Sequence, residues 1–277
     1  MRAGDGMNLK RLLLTLRTVA FVTYKEWAAY RTHSLVSLFV GPVFFLSQIL
    51  IWRALYSGRD LIGGMTLEQM LAYLGLVTLV GYLTMDFADW NLQMLIRTGK
   101  FTTFMLRPVH HRFFALSQKV GHRFLGLLYE FIPVYLIIRF ILGVELHVTY
   151  PFWAVVSVAL GFLMTFYINY CIGITGFWLV RTTGARAIFQ LISRVFSGVY
   201  LPLTIFPSAL QEVLLFLPFQ FTTYLPVSVC IGRYSLGGLV LPIPAAVGLQ
   251  AAAVLVMMLL SELFYRRGIR QYAGVGT

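Results

Sequence analysis

Six long apolar segments constrain the fold of this chain more than any other feature. A membrane-spanning helix needs about 20 residues, and the stretch between Arg31 and Arg53 contains 21 uncharged residues in succession. The other five segments are Leu67–Ile96, Phe114–Leu142, Phe152–Val180, Ala187–Phe206 and Leu239–Tyr265. The pattern predicts an all-α membrane protein, with six transmembrane helices in a single domain over residues 1–277.

The composition excludes most other classes of protein. Hydrophobic residues make up 59% of the chain and charged residues only 12%, whereas soluble domains carry about 25% charged residues. A water-soluble enzyme, a disordered chain and a coiled coil are therefore excluded. The two cysteines, Cys171 and Cys230, form no CxxC pair, so a disulfide scaffold and a cysteine metal site are not indicated.

Two further segments are helical but unsuited to crossing the bilayer. Residues 8–31 place apolar side chains at helical spacing between basic ones, which predicts an amphipathic helix in the headgroup layer. Residues 207–238, between spans five and six, are apolar but interrupted by Pro207, Pro218 and Pro226. Because proline breaks helices, this region is predicted to form a re-entrant helical segment on the outer face.

The distribution of basic residues predicts the orientation in the membrane. With both termini, the second–third loop and the fourth–fifth loop on one side, that side holds 18 of the 22 Lys and Arg residues. Basic residues concentrate in cytoplasmic loops, so both termini are predicted to be cytoplasmic. The net charge of +12 is thereby explained by topology and by attraction to anionic membrane lipids, without a nucleic-acid partner.

The chain contains no motif that indicates catalysis. Gly99-Lys100 is followed by Phe101 rather than Ser or Thr, and Met94 stands where a phosphate-binding loop requires its first glycine; ATP phosphates therefore lack their usual backbone cradle. No HExxH motif and no ligand-spaced Asp, Glu or His cluster indicates a metal. The chain is predicted not to be an enzyme and to bind no cofactor.

Several polar residues lie within the apolar segments and allow two interpretations. They are candidates for the lining of a translocation path, or they are structural residues that form ion pairs and hydrogen bonds within the chain: Asp86, Asp89, Glu130, Asn169 and Arg194. For Asp86 and Asp89, three residues apart on one helical face, the structural alternative pairs them with Arg123, Arg181 or Arg194. Glu130 and Arg194 are a candidate pair with each other.

The loop between spans two and three, residues 97–112, predicts a short amphipathic helix from Gly99 to Pro108. Its apolar residues Phe101, Phe104 and Met105 recur at helical spacing. Such a helix on the cytoplasmic face can lie on the membrane or dock into a groove of another protein.

The order of several motifs resembles the permease subunits of the type-2 ABC exporter class, in particular a little-characterised bacterial branch. The resemblance rests on Tyr30-Arg31, Met70-x-x-Tyr73, the loop from Ile96-Arg-Thr-Gly99 to Leu106-Arg107-Pro108, the proline-rich stretch from Gly198 to Pro218, and the tail from Arg267 to Gly276. It implies a location in the bacterial cytoplasmic (inner) membrane and a pairing with a second permease, identical or sister.

The resemblance also implies that a separate cytoplasmic ABC ATPase binds ATP and magnesium and contacts the loop helix. The coupling residues would be Gly99, Phe101, Phe104, Leu106, Arg107 and Pro108, with Phe101, Phe104 and Leu106 as apolar contacts and Arg107 as a polar contact. Two alternatives remain open: a membrane-embedded enzyme acting on lipids through Asp86 or a loop histidine, and an ion-coupled carrier using Glu130.

Overall fold

The structure is a computed structural model that describes residues 9–29, 31–107, 109–179 and 183–272. Tyr30, Pro108, Arg181 and the end of the tail (273–277) lie outside the described residues. The helices are α1 (Leu9–Ala29), α2 (Arg31–Leu55), α3 (Leu67–Thr84), α4 (Ala88–Arg97), α5 (Lys100–Met105), α6 (His111–Gly126), α7 (Ile132–Leu136), α8 (Pro151–Ile174), α9 (Thr183–Phe196), α10 (Ser208–Phe216), α11 (Tyr224–Ile231) and α12 (Ile243–Gln271).

Four of the described helical segments are long and apolar enough to cross a membrane: Leu67–Arg97, His111–Ile141, Pro151–Phe177 and Ile243–Gln271. The helical architecture is thereby confirmed, with a short β-hairpin in addition, whereas the predicted number of six spans is not. In the first predicted span, the shorter apolar part of α2 covers Phe39–Leu55. In the fifth predicted span, α9 has only 14 residues, because the chain turns at Gly198 with a positive φ of 83°.

The second span is broken where the sequence predicts a continuous helix. A capping box of Thr66 and Gln69 starts α3, which ends at Thr84, and α4 starts at Ala88. The carboxylate of Asp86 accepts a hydrogen bond from the backbone N–H of Ala88 at 2.8 Å. Aspartate side chains compete with the helical backbone in this way, which explains why the helix stops and restarts at Asp86.

The core lies around α8, which packs against α3, α4, α11 and α12. A buried glutamine of α12 connects three elements: Gln250 accepts a hydrogen bond from the Ser157 hydroxyl at 2.7 Å and donates to the carbonyl oxygens of Ser157 and Phe221. Because buried polar groups need partners, this network fixes the position of α12 relative to α8.

The amphipathic N-terminal segment forms α1, which packs along α6. Gly121 of α6 lies against the backbone carbonyl of Ala20, in the space that a Cβ atom would occupy. On the same side of α1, Tyr24 and Phe124 make an edge-to-face contact with ring centroids 6.2 Å apart. The absence of a side chain at Gly121 therefore allows the close approach of the two helices.

The proline-rich region folds into α10, a short 3₁₀ segment, α11 and an antiparallel hairpin of β1 (Tyr234–Leu236) and β2 (Leu239–Leu241). Every residue from Tyr224 to Cys230 in α11 is buried. The helix approaches α8 at Gly161, where a Cβ atom would come within 3.1 Å of Pro226. Neither α10 nor α11 is long enough to cross a bilayer.

Candidate functional site

The loop helix predicted from the sequence is α5, and a glycine sets its direction. Gly99 adopts a left-handed conformation with φ 71° between α4 and α5. Residues with a Cβ atom rarely adopt this conformation, so Gly99 allows the chain to turn sharply from the end of the second span into α5.

The two phenylalanines of α5 face inward. Phe101 is fully buried and Phe104 is 7% exposed. The ring of Phe101 packs edge-on against Phe177 and Tyr272, with centroids 5.1 and 5.6 Å away, and His111 also contacts both phenylalanines. The expectation that Phe101 and Phe104 offer apolar contacts to a partner is therefore wrong; they anchor α5 to its own chain.

The outer surface of α5 carries a different set of residues. Leu106 is 80% exposed and Met105 40%, and Arg107 is exposed with its guanidinium 5.3 Å from the centre of the Phe104 ring. Lys100 is also exposed. This surface combines one prominent apolar side chain with basic groups.

An ion-pair cluster ties the start of α6 to α12 next to α5. The Nη1 atom of Arg112 lies 3.2 Å from Oε2 of Glu262 and donates a hydrogen bond to the carbonyl oxygen of Met258 at 3.0 Å. His110 lies 3.6 Å from the Glu262 carboxylate. Burial lowers the pKa of the His110 imidazole, and Glu262 opposes this shift. The C-terminal part of α12 is thereby held to the segment that follows α5.

A second polar cluster surrounds the break in the second span. The Asp86 carboxylate lies 3.8 Å from the Lys119 ammonium of α6. Asn169 of α8 donates to both the carboxylate and the backbone carbonyl of Asp86, each at 3.2 Å. The side chain of Asp86 is fully buried, so these partners replace the water that a carboxylate needs.

Asp89 belongs to the same cluster and has no exposed surface. Arg186 of α9 donates to both of its carboxylate oxygens, and Gln190 donates to one of them at 3.3 Å and to Asn169 at 3.4 Å. Asp89 therefore holds α4, α8 and α9 together. Sequence reasoning missed Arg186 and Gln190 as partners, although their four-residue spacing on one helix face was a usable signal.

Glu130 and Arg194 do not pair with each other. Arg123 is the cation beside Glu130, at 3.8 Å, and both side chains are 8% exposed. Arg194 lies on an exposed face of α9. The predicted pairing of Glu130 with Arg194 is therefore wrong. Arg123 lies two turns from Glu130 on the same span, and its guanidinium is the cation beside the carboxylate.

The proposed path residues thus fall into two groups. Four of them are at most 8% exposed and bind groups of their own chain, which favours the structural interpretation for Asp86, Asp89, Glu130 and Asn169. Arg194 alone is exposed. Within the described part of the chain, no group of three or more His, Cys, Asp or Glu side chains is placed to hold a metal ion.

The comparison with known protein families agrees with this architecture. A family model described as "ABC-2 family transporter protein" matches residues 43–276, which includes the broken span, α5, both polar clusters and α12. No curated protein matches the chain. Because the matched range covers most of the 277 residues, the chain belongs to the ABC-2 family of transporter proteins and is a multi-pass membrane subunit of that kind.

Proposed function

We propose that the chain is the membrane-spanning subunit of an ATP-driven ABC exporter, forming half of a translocation path and coupling to a separate cytoplasmic ATPase. The observation that carries this proposal is the construction of α5 within an ABC-2 family chain. Its inner face is anchored by Phe101 and Phe104, while Leu106 and Arg107 project outward. An exposed leucine beside basic groups has the composition of a docking contact with a desolvated centre and a charged rim.

The anchoring of α5 supports a mechanical role. Gly99 joins α5 to the second span, and the rings of His111 and Tyr272 join it to the third and last long helices. A displacement of α5 by a partner would therefore move three long helices together, because the interior is close-packed and transmits strain.

The remaining arrangement follows from the same proposal. The chain crosses the bacterial cytoplasmic (inner) membrane six times, with α2 and α9 as the first and fifth spans and both termini in the cytoplasm. The segment 207–238 is re-entrant on the outer face; the burial of α11 supports this placement. A second permease subunit, identical or sister, closes the path, and ATP and magnesium bind the ATPase rather than this chain.

The docking role is tested by co-purification of the tagged chain with its ATPase. We expect Leu106→Asp to reduce recovery of the ATPase at least tenfold, since the substitution places a carboxylate in an apolar contact. Leu61→Asp is the matched control, because Leu61 is 60% exposed in the loop after α2, on the opposite side of the proposed membrane. Equal recovery with both variants would reject docking at α5.

The non-catalytic role is tested separately. The purified chain alone is expected to hydrolyse no ATP and to modify no lipid, whereas the complex hydrolyses ATP. Chemistry performed by the isolated chain would favour the membrane-embedded enzyme instead.

A further inference from the structure

Helix α9 carries a polar stripe whose two ends have different environments. Arg186, Gln190 and Arg194 are spaced by four residues and therefore share one helix face. Arg186 and Gln190 bind Asp89. Arg194 is exposed, and no carboxylate among the described residues lies within ion-pair distance of it. The stripe thus ends in a cation that its own chain does not neutralise.

Two contacts with the second span determine the depth of Arg194. The hydroxyl of Tyr73, near the outer end of that span, donates to the carbonyl oxygen of Gly198 at 2.7 Å, and Arg186 binds Asp89 near the inner end. At 1.5 Å per residue, Arg194 lies about 12 Å along α9 from Arg186 and about 6 Å before Gly198. Arg194 is therefore at mid-depth rather than at a headgroup level.

A cation at this depth requires a polar environment, because charged side chains within membranes face a water-filled cavity or a partner of opposite charge. The neighbouring outward residues of α9 are apolar: Ile188 is 63% exposed and Leu191 is 60% exposed. One guanidinium at the edge of an apolar face matches a ligand with an anionic group on an apolar body. Guanidinium groups bind phosphate and carboxylate oxygens in a bidentate manner.

We propose that Arg194 binds the anionic headgroup of an amphiphilic substrate within the translocation path, while Leu191 contacts its apolar part. This proposal rests on the proposed transport function and adds the chemical class of the substrate. Asp89 neutralises Arg186 at the inner end of the stripe, so Arg194 is the position on α9 with an available positive charge.

The test measures binding of a fluorescent lysophosphatidic acid and of its phosphocholine analogue to the purified complex with its ATPase. We expect the phosphomonoester to bind more tightly, and Arg194→Gln to weaken its binding at least tenfold. Arg194→Lys is expected to retain most of the binding, since it keeps the charge. Arg233→Gln is the matched control, because Arg233 is an exposed arginine beyond α11 that forms no described ion pair. It should bind as the unaltered chain does.

The outcomes separate the substrate proposal from the proposed function. Equal binding of the two analogues, or unchanged binding in a folded Arg194→Gln variant, would overturn the proposal, even if the ATPase still co-purifies. Thermal unfolding of that variant verifies that it is folded. Competition by inorganic phosphate at concentrations equal to those of the lipid would assign the site to the free anion and overturn the amphiphilic substrate. Absence of such competition, together with loss of binding in Arg194→Gln, would support it.

Discussion

Substituting Asp89 by asparagine tests the ion pair through which a fully buried carboxylate of α4 binds α9. Asp89 has no exposed side-chain surface, whereas Arg186 keeps 27%. Removing one member of a buried pair costs about 3–5 kcal/mol, because the remaining charge is left without a partner. Since Arg186 is partly accessible to water, we expect Asp89→Asn to lower the free energy of unfolding by about 2–3 kcal/mol, below the fully buried range.

The measurement is thermal unfolding of the detergent-solubilised chain, followed by size-exclusion chromatography. The double variant Asp89→Asn/Arg186→Gln removes both charges and should be more stable than Asp89→Asn alone. Glu145→Gln is the control, because Glu145 and Arg139 form an exposed pair with 85% and 37% of their side chains accessible. Such pairs contribute about 0–1 kcal/mol. If the double variant lost as much free energy of unfolding as the two single substitutions together, the pairing of Asp89 with Arg186 would be refuted.

Three further substitutions test the packing of individual elements. Phe101→Ala should destabilise the chain by about 3–5 kcal/mol, measured by thermal unfolding, because the ring is fully buried; a loss below 1 kcal/mol would contradict the anchoring of α5. Gly121→Val should accelerate proteolysis of α1, since a side chain would collide with Ala20; Gly248→Val, with open space around it, should not. Tyr73→Phe should cost about 1–3 kcal/mol in the same unfolding assay by leaving the carbonyl oxygen of Gly198 without its donor, and unchanged stability would contradict that contact.

The spans were predictable to the extent that they depend on local composition. Apolar length alone identifies the spans predicted at Leu67–Ile96 and Phe152–Val180, which the structure has at Leu67–Arg97 and Pro151–Phe177. The break at Asp86 was not predictable in the same way, because an aspartate continues the helical pattern as readily as it interrupts it. The outcome depends on Lys119 and Asn169, which lie far away in sequence and stabilise the carboxylate in its capping position.

The orientation of α5 was unpredictable for a related reason. Phe101 and Phe104 define one apolar face through their three-residue spacing, but the spacing does not say whether that face meets the chain itself or a partner. The decisive contacts come from Phe177 and Tyr272, whose proximity depends on the tertiary fold. The sequence therefore predicted the helix and the outward position of Leu106 and Arg107, but it assigned Phe101 and Phe104 to the outer face, whereas they lie on the inner one.

The two polar clusters suggest how a displacement of α5 would reach the middle of the membrane. Helix α5 follows α4 through a single glycine turn, and α4 is bound to α9 by Asp89 and Arg186. Because α9 also carries Arg194 two turns further along, movement of α4 is expected to shift the proposed anion-binding position. Asp89→Asn should then reduce the response of ATP hydrolysis to lysophosphatidic acid more than it reduces binding of the ATPase or of lysophosphatidic acid. Equal losses of the ATPase response and of binding would instead indicate a general loss of structure, and the ion pair would have no part in coupling.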